Sequence, residues 1–250
     1  MRNLLAITGL LMVLSGGCAA DAGAPEEASD DLRSFEMADG EHPEVGRTEQ
    51  FDGSKTTICT ATLVGPQTVI TASHCAVVPT GGTNTCQGSF FVDISGQGGS
   101  RAAWRKAAYH TCARLRVPGS IPGEKDIAIL HLDTPITGVT PATIASAVPS
   151  SGDRTIYGYG RFGRKCAESL DYHKRKLTIA AARRVFATVT CPGDSGGPHF
   201  VFGTSSIMAV TSGDLLVQVT GDVAGYHAWV TGRIQESEAG RPFTQDAVTQ

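Results

Sequence analysis

Between residues 50 and 230 the chain is a succession of short apolar runs separated by clusters of Gly, Pro, Asn and Ser. Residues 57–64, 67–72, 89–94, 102–108, 127–132, 154–157, 176–181, 199–201, 206–211 and 215–219 are rich in β-branched and aromatic side chains and predict strands. No long amphipathic run interrupts them, so the pattern predicts an all-β sandwich or barrel. About two hundred residues suffice for one such unit. Ahead of it, Met1 and Arg2 precede an apolar run, residues 4–14, that ends in Ser15-Gly16-Gly17. A basic start, a short apolar stretch and small residues describe an export signal over residues 1–17, too short for a spanning helix. Residues 18–34 carry mainly Ala, Gly, Asp and Glu, a composition that buries no core, and predict a flexible tether or propeptide. The folded domain is placed at 35–236, and 237–250 is expected to be a frayed tail.

The stretch with most chemical content is Cys191-Pro192-Gly193-Asp194-Ser195-Gly196-Gly197-Pro198. Three glycines free the backbone for a tight turn that aims one hydroxyl, that of Ser195. The amides of Gly193 and Ser195, held side by side, would form an oxyanion hole for a carbonyl under attack. Taken alone, a G-D-S-G turn is more often a solvated loop. A serine hydroxyl needs an imidazole to take its proton and a carboxylate to fix the imidazole's tautomer. Thr71-Ala72-Ser73-His74-Cys75 and Asp126-Ile127-Ala128-Ile129-Leu130 offer both. Asp133, the competing carboxylate, stands before Thr134-Pro135 and is read as a turn residue. His42, His110, His131, His173, His199 and His227 lie in no motif and are assigned surface or packing roles.

These three segments, in the order His, Asp, Ser, resemble the T-A-A-H-C, D-I-A-L-L and G-D-S-G-G-P signatures of the trypsin/chymotrypsin-like serine peptidases. Ser73 and Ile129 are mild departures. The resemblance narrows the fold to two packed six-stranded antiparallel β-barrels with a short C-terminal helix at His227-Ala228-Trp229-Val230. It implies a catalytic triad of His74, Asp126 and Ser195, which hydrolyses peptide bonds through an acyl-enzyme. It also puts Val189, six positions ahead of the serine, at the floor of the specificity pocket, where an aspartate would select Arg or Lys. Valine cannot pair with a guanidinium, so cleavage after an uncharged residue is expected. Thr211-Ser212-Gly213 resembles the pocket wall usually written S-W-G, and Gln218 falls on the opposite wall. In many relatives a cleavage frees an Ile or Val amine that pairs with the aspartate before the serine, here Asp194. This chain has no R-[IV]-[IV]-G-G; the nearest candidates lie at Arg33-Ser34-Phe35 and ahead of His42-Pro43-Glu44-Val45.

Of seven cysteines, Cys18 follows small residues and resembles a bacterial lipoprotein box, implying a lipidated first residue and membrane attachment. Leu14 stands one position further from the cysteine than in the usual box, so a plain signal peptide is the alternative. The others, Cys59, Cys75, Cys86, Cys112, Cys166 and Cys191, form the even set expected of a disulfide framework in an exported protein. The resemblance pairs Cys59 with Cys75; Cys86 with Cys112 and Cys166 with Cys191 are our inference for the remainder. There is no C-x-x-C or H-E-x-x-H, so neither a metal nor another cofactor is expected. The net charge of −3 gives no general basic field for nucleic acid. The basic cluster of Arg161, Arg164, Lys165, Lys174, Arg175, Lys176, Arg183 and Arg184 is read as a solvated face. An esterase of the α/β-hydrolase kind would need the order Ser, Asp, His. A monomer acting on protein or peptide substrates, secreted or anchored outside the cytoplasm, is therefore expected. The rival is a non-catalytic homologue that keeps the fold as a binding module.

Overall fold

The computed structural model describes residues 36–80, 83–115, 125–149, 153–162, 166–169, 171–179, 190–212, 219–241, 243 and 247–249. The first half of the chain supplies β2 (Val45–Phe51), β3 (Thr56–Gly65), β4 (Thr68–Thr71), β7 (Gly88–Asp93), β8 (Trp104–Leu115) and β9 (Ile127–Leu132). They pair in the order β8-β7-β2-β3-β4-β9, and β8 pairs again with β9, which closes a six-stranded barrel. Closure leaves no free edge among those six strands. A short hairpin, β5 (Val77–Thr80) with β6 (Thr83–Cys86), comes after the turn that ends β4.

Alternate residues of these strands feed two different cores. Val69 on β4 and Ala128, Leu130 and Leu132 on β9 point into the barrel, with Leu63, Phe90 and Tyr109. Their neighbours Ile70, Ile127 and Ile129 point outward, into a second cluster with Tyr157, Tyr159, Phe200, Ile207, Val210 and Val230. Both faces of β4 and β9 are therefore buried, which is why 127–132 reads as an almost unbroken apolar run rather than an alternating one.

The second half forms β11 (Arg154–Gly158), β12 (Arg175–Ile179), β13 (Pro198–Val201), β14 (Ser206–Ser212) and β15 (Val219–Gly221), joined by β1 (Glu36–Met37) and β10 (Thr143–Ile144). The order is β1-β12-β11-β13-β14-β10, with β15 added on β14. The fold is mostly β with one C-terminal helix, as expected. Among the described residues, however, this second sheet is open, and β10 runs parallel to β14.

Helix α1 (His227–Glu238) packs Trp229 and Val230 against the shared core. Its last turn is fastened to the barrel where Thr68 Oγ1 donates to Ser237 Oγ at 2.7 Å and Ser237 Oγ meets His131 Nδ1 at 2.9 Å. Beyond the helix the chain departs from the frayed tail expected of it. Phe243 is buried in the core cluster, and β16 (Ala247–Thr249) lies parallel to the end of β8.

Strand β2 was the main element without a sequence signal. Its buried residues include Arg47, Thr48 and Gln50. Arg47 pairs with Glu49 at 2.6 Å and lies over the Tyr172 ring, and Gln50 donates to Tyr109 Oη at 2.8 Å. Polar side chains buried in a core leave no apolar pattern to read.

Candidate active site

Antiparallel pairing of β4 with β9 brings Thr71 opposite Ala128. The residues just beyond, at the end of one strand and the start of the other, are therefore neighbours although 52 positions separate them in the chain. After β4 the chain makes a single 3-10 turn, Ser73–Cys75, which carries His74. A disulfide ties Cys75 to Cys59 on β3. Asp126 directly precedes β9 and receives His74 twice: the backbone N–H donates to Oδ1 at 3.0 Å, and Nδ1 meets Oδ2 at 2.6 Å. Ser212 Oγ donates to Oδ2 at 2.5 Å. Its hydroxyl thus serves the aspartate, a role the sequence did not suggest.

These contacts set the charges. Burial opposes the imidazolium, but the hydrogen bond and negative charge of Asp126 outweigh it, so His74 titrates above the ordinary 6.5. Burial likewise pushes Asp126 up, and the His74 ring, its backbone N–H and the Ser212 hydroxyl overcome this and hold the carboxyl below its usual value. The His74 side chain remains half exposed, at 51%, whereas that of Asp126 is at 16%. A ring anchored at Nδ1, with no hydrogen-bond partner at Nε2 among the described residues, is suited to accept a proton at Nε2.

The Ser195 loop is pinned to the first barrel through Thr60. Its N–H donates to the Ser195 carbonyl at 2.8 Å and its hydroxyl to the Gly193 carbonyl at 2.8 Å. The same hydroxyl accepts the Tyr159 N–H, and the Thr60 carbonyl accepts Thr71 Oγ1. Thr60 lies in an ordinary strand sequence, so nothing in the residue pattern marked it. Cys75 Sγ stands 3.8 Å from the Ser195 carbonyl, which places the serine beside the turn that carries His74. The two side chains are not hydrogen-bonded to each other here; such contacts commonly tighten only when substrate is bound.

Within the loop, the amides of Asp194, Gly196 and Gly197 bond to the carbonyls of Cys191, Thr211 and Asp194. The amides of Gly193 and Ser195 have no such acceptor among the described residues. They are the pair expected to serve as oxyanion donors. Gly196 is required by two constraints at once: its φ is +82°, and a Cβ there would stand 2.0 Å from Thr71 Oγ1 and 2.3 Å from the Thr60 carbonyl.

Asp194 points away from the solvent side of the loop, into the protein. Oδ1 accepts the Gly160 N–H at 2.8 Å and Arg175 Nη2 at 2.7 Å, and Oδ2 accepts the Cys191 N–H at 2.9 Å. Both side chains of the pair are buried, at 1% and 0%. Burial raises the Asp194 pKa, while the Arg175 charge and the two amides act against it and supply the partners an ionised carboxylate needs. The expected solvated basic face is corrected at two positions, Lys174 and Arg175, which are fully buried; Arg161 is exposed, Lys176 is partly exposed, and Arg164, Lys165, Arg183 and Arg184 lie outside the described residues. Lys174 Nζ donates to the His42 carbonyl at 2.8 Å; burial lowers its pKa to about 8 against the pull of Glu44, Asp39 and Asp93.

Of the pocket residues, Val189, Gly213 and Gln218 lie outside the described residues, as does Cys18. Thr211 and Ser212 are described: Thr211 Oγ1 meets His199 Nε2 at 3.1 Å inside the sheet, and Ser212 Oγ donates to Asp126. All three cysteine pairs occur as expected, Cys59–Cys75, Cys86–Cys112 and Cys166–Cys191. Cys59, His74 and Cys75 cluster closely, but both sulfurs are committed to the disulfide, which removes them as thiolate ligands. Asp133 sits in the bend after β9 and pairs with His110 at 3.3 Å, a surface role.

A closed six-stranded barrel packed on a second sheet, with one helix closing the chain, defines the double-β architecture of the trypsin-like proteases. Residues 36–231 match the family model described as Trypsin, and the chain belongs to that family. Three solved structures share the fold at low identity. One described as the structure of GrC is 16% identical, with a TM-score of 0.61, over 80% of this chain and 98% of that one. Neuropsin, described as a serine protease expressed in the limbic system of mouse brain, is 19% identical, with a TM-score of 0.61 over 80% and 98%. Human heparin binding protein is 18% identical, with a TM-score of 0.58 over 81% and 96%.

Proposed function

We propose that the protein is an exported serine endopeptidase in which His74, Asp126 and Ser195 form the catalytic triad. The observation that carries this reading is the two-point hold of Asp126 on His74, beside a loop whose Ser195 and Gly193 amides are unspent. Ser195 Oγ attacks the scissile carbonyl as its proton passes to His74 Nε2. Asp126 retains the proton on Nδ1 and stabilises the imidazolium. The Gly193 and Ser195 amides take the charge that develops on the carbonyl oxygen. His74 then protonates the leaving amine, and water repeats the sequence to release the acyl group. The resemblance assigns the pocket floor to Val189, and a valine in that position favours an uncharged residue before the cleaved bond. Attachment to a membrane through Cys18 and a monomeric state belong to the same reading.

A fluorophosphonate probe tests the chemistry. Wild-type protein is expected to be labelled, and Ser195→Ala is expected not to be. Failure of the wild type to label, even after its amino-terminal segment is trimmed, would favour the binding-module reading instead. A peptide library is expected to show cleavage after Val, Ala, Leu or aromatic residues; dominant cleavage after Arg or Lys would show that Val189 is not the floor. Mass spectrometry of the mature amino terminus is expected to find a diacylated Cys18, and an unmodified downstream residue would exclude the anchor.

A further inference from the structure

The loop that bears Ser195 hangs on one buried carboxylate. Asp194 reaches back to the Cys191 N–H, across to the Gly160 N–H, and into the protein to Arg175, while its own backbone N–H and carbonyl bond Cys191 and Gly197. The flanking Gly193 can adopt its φ of +101° because it has no side chain; a Cβ there would stand 2.7 Å from Gly160 Cα. The position of Asp194 therefore decides where the Gly193 and Ser195 amides lie. A carboxylate with no exposure needs a cation to stay ionised. The chain provides one from β12, and the Arg175 guanidinium is itself among the largest fully buried side chains. The segment leading into β2 is occupied elsewhere. Glu36 and Met37 pair with Lys176 and Arg175 across the edge of the second sheet, the Ala38 N–H bonds the Lys174 carbonyl, and the Val45 N–H bonds the His42 carbonyl. Both sides of the His42-Pro43-Glu44-Val45 candidate are thus built into the fold, and no cut there is needed to bring a cation to Asp194.

We infer that Arg175 is the positioning residue for the oxyanion-binding loop, holding Asp194 from within the fold, so that the active site is assembled in the uncleaved chain without a newly freed amino group. The inference rests on the peptidase reading of this site and concerns how the site is assembled: the loop is held in place once the chain has folded.

The test uses the full chain with a folded carrier domain fused ahead of Met1, reacted with the fluorophosphonate probe and weighed intact. The expected result is an adduct whose mass includes the carrier and all residues, formed at the same rate as on protein trimmed of its amino-terminal segment. Labelling of trimmed molecules only would overturn this inference and leave the peptidase reading standing. Labelling of neither form would overturn both. In parallel, Arg175→Met is expected to lower kcat per folded molecule at least a hundredfold with KM changed less than threefold, and Arg175→Lys to recover at least a tenth of wild-type kcat. A purely structural role would lower the melting temperature and leave kcat per folded molecule intact. Wild-type kcat in folded Arg175→Met overturns the inference; should that variant not fold, the intact-mass result and Arg175→Lys decide.

Discussion

Replacing Asp126 by Asn is the sharpest test of how His74 is held. Oδ1 of the aspartate accepts a backbone N–H, that of His74, and a backbone amide can only donate. The asparagine must keep its carbonyl there, which forces its NH2 into the place of Oδ2, 2.6 Å from His74 Nδ1 and 2.5 Å from Ser212 Oγ. The serine hydroxyl can rotate to accept, but Nδ1 must become an acceptor as well, so the ring proton moves to Nε2. An Nε2 that already carries a proton cannot take one from Ser195. The loss expected for a wrong-tautomer triad of this type is about 10⁴ in kcat, or about 5.4 kcal/mol of transition-state stabilisation. The pH profile must move too. Asp126 is what raises His74 above 6.5 against its burial. In the proposed mechanism the base works as neutral imidazole, so wild-type activity is expected to be lost as pH falls through that raised pKa. With the carboxylate gone, burial alone acts, and the acid limb of the residual activity shifts below 6.5. The assay is kcat/KM against pH on a chromogenic peptide substrate. More than a tenth of wild-type activity, or an acid limb that does not move down, would refute the reasoning.

Three further outcomes are expected. For the buried pair, Arg175→Met or Asp194→Leu alone strands one charge and is expected to cost about 3–5 kcal/mol, read as a lower urea midpoint; the double variant should lose clearly less than the sum, and simple additivity would show that the two do not interact. Gly196→Ala and Gly138→Ala compare nearly equal backbone angles, φ +82° and +83°, in closed and open space. The angle costs both variants about 1–3 kcal/mol, so only Gly196→Ala should also lose the folded active site, and equal stabilities would mean the loop relaxes away from Thr71. Removing the Cys59–Cys75 bridge, whose ends are 16 residues apart, is expected to cost about 3 kcal/mol by chain entropy and to lower kcat as the His74 turn loosens; unchanged kcat in the folded variant would show that the turn is held by its other contacts.

What the sequence by itself determined is whatever its neighbouring residues dictate. The strand over Ile127–Leu132 is found at those bounds because six consecutive positions leave little but an extended, doubly buried segment. The glycines around Ser195 announce a turn because only glycine tolerates its backbone angles and contacts, as the φ values of Gly193 and Gly196 confirm. The resemblance pairs Cys59 with Cys75, the other two pairs are our inference for the four cysteines that remain, and all three bridges occur.

The tertiary structure alone decided the fate of the polar residues. Arg175 and Lys174 read as part of a solvated basic run, and they are buried because Asp194 lies 19 residues from one and Asp39 and His42, more than 130 residues away, bond the other. Ser212 and Thr60 belong to ordinary strands until the fold sets Asp126 and Ser195 against them. The end of the chain reads as a tail, but Phe243 finds the shared core and β16 finds β8. Apolar burial leaves a local pattern because water is avoided at every buried position alike. A buried charge or hydrogen bond leaves none, because its stability depends on a partner that the chain brings near only after it has folded.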